Sequence, residues 1–122
     1  MDRQQFEKIV GEVLDDLPED FAEKLENVEV VVKGRPSKED LQAAGVERGS
    51  MLLGLYQGVP ATKRGMGYML VLPDRISIYM EPIVRVSESK GIPVSAMIRE
   101  VVLHEIAHHF GIPDDRLREL GY

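Results

Sequence analysis

The amino-acid sequence predicts a domain of the α+β class, and three features predict it. Apolar residues recur at helical spacing towards both ends of the chain. Four short runs with strand character lie between those ends, and the length of 122 residues allows one hydrophobic core with little room for a second lobe, so residues 1–122 are read as one domain.

Composition narrows the function classes. A hydrophobic content of 43% with 30% charged residues is that of a soluble globular protein. The chain has no cysteine, so disulfides and thiolate metal sites are excluded and any metal must take imidazole and carboxylate ligands. A formal charge of −6 argues against a nucleic-acid partner. Residues 1–8 alternate charged and apolar side chains where a signal peptide needs an unbroken apolar run, and no stretch has the length of a membrane span. With Met1 as the natural start, the expected location is the cytoplasm, with no membrane partner.

Phe6, Ile9, Val10, Val13, Leu14 and Leu17 recur at threes and fours, which predicts an amphipathic helix over residues 2–17, closed by Pro18. A short helical turn at 19–25 leads to a β-branched strand at 28–32. Ser37 with Asp40 three residues on can cap a short helix ending near Gly45. Residues 51–56 form a second strand candidate, followed by a glycine-bearing loop with Lys63 and Arg64 at its tip. Gly65 and Gly67 there fail the three-glycine pattern of a phosphate loop.

Residues 68–72 and 74–80 read as a strand pair broken at Pro73 and Asp74. Ile76, Ile78 and Met80 alternate with Arg75, Ser77 and Tyr79, so one face should pack inward and the other outward. A helix from Glu81 to Lys90 closes at Gly91. Pro93 then fits the first turn of a helix over 94–110, and a short terminal helix bearing Leu117 and Leu120 follows.

All three histidines lie in the stretch His104-Glu105-Ile106-Ala107-His108-His109-Phe110-Gly111-Ile112-Pro113-Asp114. At about 100° per residue, His104 and His108 project from one side of the helix one turn apart and can share a metal ion. Glu105 is rotated by about 100° from His104, beside such an ion and placed to activate its water. Gly111 can end the helix in the left-handed conformation, and beyond Pro113 the Asp114 carboxylate can swing back as third ligand. Two imidazoles, a carboxylate and one open position are what a catalytic zinc requires. An HExxH match alone arises by chance about one time in a hundred at this composition, and Gly111 with Asp114 lowers that to roughly one in ten thousand.

With these residues the sequence resembles the small bacterial zincin-like metallopeptidases, whose signature HExxHxxGxxD matches at His104, Glu105, His108, Gly111 and Asp114. Leu17-Pro18, the run from Leu53 through Gly54, Leu55, Tyr56, Gln57, Gly58 and Val59 to Pro60, and Leu72-Pro73-Asp74-Arg75-Ile76 also look like landmarks of that family. The resemblance implies a minimal zincin fold, with a small mixed or antiparallel sheet packed on the helix that carries the motif. It also implies one zinc ion per chain, held by His104, His108 and Asp114, and Glu105 as general base. It implies no particular substrate. By likeness to zincins, a strand such as 74–80 borders the cleft, and Asp74, Arg75, Ile76, Ser77 and Ile78 would take a peptide by strand addition; an interior strand without a free edge is the alternative.

Metzincins place a methionine below the metal, and here no methionine follows Met97. Gluzincins take a later glutamate as third ligand, so Glu119 rivals Asp114, with Asp115 behind it. The expected chemistry is hydrolysis of an amide bond in a peptide or protein substrate. A divalent ion lowers the pKa of its water from about 15.7 towards about 7, and Glu105 moves the protons. His109 and the tyrosines at 56, 68, 79 and 122 are candidates to steady the oxyanion or support the site. The alternative is a catalytically silent metal-binding module that presents its cleft to a protein partner.

Overall fold

A computed structural model describes residues 1–46, 51–58 and 73–122. Its elements in chain order are α1 (Arg3–Asp15), α2 (Glu19–Lys24), β1 (Val28–Lys33), α3 (Lys38–Ala44), β2 (Gly54–Gln57), β3 (Asp74–Tyr79), α4 (Met80–Lys90), α5 (Val94–Phe110) and α6 (Asp114–Glu119). The class is α+β, and the described strands form a three-stranded mixed sheet in the order β1-β3-β2. Residues 59–72, which include the strand expected at 68–72, Tyr68 and the loop tip, lie outside the described residues, as do residues 47–50.

Local sequence sets the helix ends. Asp2 caps α1 through a reciprocal box with Gln5, and Ser37 caps α3 in the same way with Asp40. Gly45, Gly91 and Gly111 close α3, α4 and α5 in the left-handed conformation. Helix α5 buries Met97, Ile98, Val101, Val102, Leu103, Ile106 and Ala107, which leaves it almost no polar stripe. A helix apolar on most sides belongs in the centre of a domain, and α5 packs against α1, α2, α4, α6, β2 and β3. Phe6 and Phe21, both fully buried, join Ile76, Ile78, Ile83 and Leu117 around it. No described helix is long and apolar enough to cross a membrane.

The sheet corrects two expectations about residues 74–80. β3 pairs in parallel with β1, from Val28↔Asp74 to Lys33↔Tyr79, and antiparallel with β2, from Gly54↔Ile78 to Gln57↔Arg75. It is the central strand. Arg75, Ser77 and Ile78 therefore have neighbours on both sides, and Asp74 to Ile78 offer no free edge to a peptide. Nor is one face of β3 open, because Ser77 and Tyr79 are as fully buried as Ile76 and Ile78. Asp40 of α3 lies close enough to the Tyr79 phenol to help burial raise its pKa above the usual value. Among the described residues, Ser77 Oγ and Tyr79 Oη are buried without a hydrogen-bond partner.

Candidate metal centre

Three packed features bring α5 and β2 together. Gly54 comes first: a Cβ built there would stand 2.5 Å from Val101 Cγ1 and 3.3 Å from the Ser77 carbonyl oxygen, so only glycine allows this approach. Next, the Tyr56 backbone N–H donates to Glu105 Oε1 at 3.0 Å. This amide points away from β3, because in the antiparallel ladder the bond from Tyr79 N–H to the Leu53 carbonyl assigns the inward bonds to the alternate residues. Glu105 thus sits at the outer edge of β2.

The third feature is a side-chain cluster. The Tyr56 ring stacks on His109 at 3.8 Å between centroids, and the Tyr56 hydroxyl donates to Asp74 Oδ2 at 2.7 Å. His109 Nε2 lies 4.0 Å from the same carboxylate. His109 therefore braces β2 against α5, and Tyr56 is engaged through both ends.

Glu105 is half-buried, and burial pushes its carboxyl above the usual value. The Tyr56 amide opposes that rise, as do His108 and His104 when charged. Both histidines are therefore within electrostatic reach of the carboxylate, as their places on successive turns of α5 allow. His104 is half-buried, with the Tyr122 ring 6.5 Å away edge-on, whereas His108 is exposed. A cleft of about 220 Å³ opens on His104 and Glu105, with Leu53, Gly54, Met97, Glu100 and Val101 completing its lining. Hollows of about 270 and 300 Å³ lie elsewhere on the surface, away from these residues, so volume alone does not find the site.

The expected third ligand stands apart from the histidine pair. Gly111 turns the chain at φ 68°, as its place after the motif demands, and Ile112 N–H bonds back to the Ala107 carbonyl at 2.9 Å. Pro113 then starts a new helix, so Asp114 stands exposed in the first turn of α6, where the helix dipole favours an acid. Among the described residues, no three His, Asp or Glu side chains are gathered closely enough to hold a metal ion. His104, His108 and Asp114 are therefore not converged, although the imidazole pair supplies two nitrogen donors suited to zinc. The rivals are occupied, Asp115 with Arg118 at 2.7 Å and Glu119 with Arg116 at 3.2 Å.

Of the other expected helpers, Tyr79 belongs to the opposite face of β3 from Ile76 and is enclosed. Sequence reasoning missed the parts of Gly54 and of the Tyr56 amide. A glycine within a strand pattern was the available signal for the first, and a backbone N–H leaves none.

No curated protein matches the chain. Among solved structures, a conserved hypothetical protein from Thermo thermophilus is similar, with a TM-score of 0.58 and 25% identity over 94% of this chain and 99% of that one. A family model described as zincin-like metallopeptidase matches residues 25–122, which hold the described strands of the sheet and the whole of the motif helix. By that match the chain belongs to the zincin-like metallopeptidase family.

Proposed function

We propose that the protein is a zinc-dependent metallopeptidase in which His104, His108 and Asp114 hold one zinc ion and Glu105 is the general base. The observation that carries this reading is the Glu105 carboxylate, held at the outer edge of β2 by the Tyr56 amide and flanked by the two histidines of one helix face. Pure metal storage has no use for an acid in that place.

Zinc, when bound, polarises the scissile carbonyl and makes a water acidic enough to ionise near neutral pH. Glu105 accepts the proton of the attacking water and returns a proton to the leaving amine. Peptide main chain would add to the outer edge of β2, where Gly54 turns its backbone polar groups away from β3. Asp114 completes the ligand set by turning back at the junction between Gly111 and α6, the shortest route from any acid beyond the motif.

A second reading, a catalytically silent module with a zincin fold, is favoured by one observation: the Asp114 carboxylate is not gathered with the histidines. Incubating zinc-loaded protein with unfolded protein and peptide mixtures, with and without chelator, separates the two. Chelator-sensitive cleavage that disappears in Glu105→Gln supports the peptidase. Metal-loaded protein that cuts none of them supports the module.

A further inference from the structure

The cleft above His104 and Glu105 has a chemical bias that the motif does not dictate. Its apolar walls are Leu53, Met97 and Val101, and its far end carries Glu100, one helical turn before His104. Glu100 is half-buried and, among the described residues, has no hydrogen bond or ion pair. The neighbouring cation, Arg99, turns to α1, where it donates to the Asp16 carbonyl at 3.3 Å and lies 4.0 Å from the Asp16 carboxylate. Among the described residues, no lysine or arginine lines the cleft, and those that do include two carboxylates and one imidazole.

We infer that this cleft takes a long basic side chain, lysine or arginine, from the peptide being cleaved, with its methylenes against Leu53, Met97 and Val101 and its cation at Glu100. The inference rests on the peptidase reading for the ligand being a peptide. A volume of about 220 Å³ is below that of pockets for drug-sized ligands and suits a single side chain. Lysine and arginine bury an apolar stem while keeping the charge at a polar rim, which is the distribution of lining here. An aliphatic side chain would fit the walls but would cover Glu100 without pairing it, and an acidic one would be repelled by both carboxylates. The net charge of −6 adds a general attraction for cationic peptides.

The test uses alanine pentapeptides with lysine, leucine or glutamate at the centre. Binding is measured to metal-free protein, and cleavage is measured with zinc-loaded protein. The lysine peptide should bind about tenfold more tightly than the leucine peptide, and Glu100→Gln should bring that ratio close to one. Glu100→Lys should move the glutamate peptide to first place. No binding, a lysine-to-leucine ratio near one in the wild type, or a ratio unchanged in Glu100→Gln overturns the inference. The variant outcomes are ratios within one protein sample, so a smaller folded fraction of a variant does not change them. Zinc-loaded protein that cuts none of the peptides counts against the peptidase reading, while the binding ratio still decides the nature of the cleft.

Discussion

A methyl group at position 54 would meet Val101 Cγ1 at 2.5 Å and the Ser77 carbonyl oxygen at 3.3 Å, and neither α5 nor the sheet backbone can yield cheaply. Gly54→Ala should therefore destabilise the fold by about 1–3 kcal/mol, read as a lower urea midpoint at unchanged slope. A wild-type midpoint would mean that the close approach of β2 and α5 is not required. At Glu105 the expected effect is chemical. Glu105→Gln should keep zinc and lose about 10²–10⁴-fold in cleavage rate, whereas His104→Ala should lose both metal and cleavage. Elemental analysis beside a peptide assay checks the pair, and unchanged turnover in Glu105→Gln removes the assigned base. The placement of the histidines and Glu105 on successive turns of α5 was legible because it follows from helical spacing. The Tyr56 amide was not, since any residue at 56 presents the same N–H and only the fold aims it at Glu105.

Helix α3 shows what an element's end contributes. Asp40 is buried, accepts from the Ser37 N–H at 3.2 Å and pairs with Lys33 at 3.1 Å. Burial alone would raise its carboxyl, but the Ser37 amide and Lys33 outweigh it and hold the group below the ordinary value of 3.8. A carboxylate whose folded pKa is depressed adds stability that is present above the unfolded value and lost as pH falls through the folded one. Asp40→Asn should cost about 1–3 kcal/mol at neutral pH, and the gap from wild type should shrink as the pH drops below that ordinary value. Denaturation curves at pH 7 and pH 3 test this; a gap that is the same at both contradicts it.

Other elements differ in how far the sequence revealed them. Helix α5 was readable to its ends because Pro93 and Gly111 mark them, and the box at Ser37 marked α3. Strand β3 was located by the sequence, but its surroundings were misjudged because the alternation from Arg75 to Met80 resembles a strand with one wet face. What hides Ser77 and Tyr79 is packing of distant segments on the sheet's other face, and no local pattern records it. The described neighbours of β3, β1 and β2, left no mark in the local pattern either, and the first of these is more than forty residues away in the register Val28↔Asp74.

At the scale of the whole molecule, the short loop from Gly111 to Pro113 connects the central helix to α6, which is anchored elsewhere. Arg116 pairs with Asp20 of α2 at 2.9 Å, and Leu117 is buried in the core. On the proposed ligand set, bringing Asp114 to the histidines would be a local movement at the start of α6, made against an anchored helix body. Metal binding should then register as global stability: zinc at one hundred times its dissociation constant adds about 2.7 kcal/mol, seen as a chelator-reversible rise in melting temperature. His104→Ala should show no such rise. A rise of equal size in that variant would place the metal at another site.

The central claim is that three side chains share one ion. Its most direct measurement is zinc content per chain after loading and desalting, in the wild type and in His104→Ala, His108→Ala and Asp114→Ala. One zinc per chain in the wild type, with marked loss in each variant, is the expected result. A wild type that retains none, or an Asp114→Ala protein that retains a full equivalent, contradicts the ligand set.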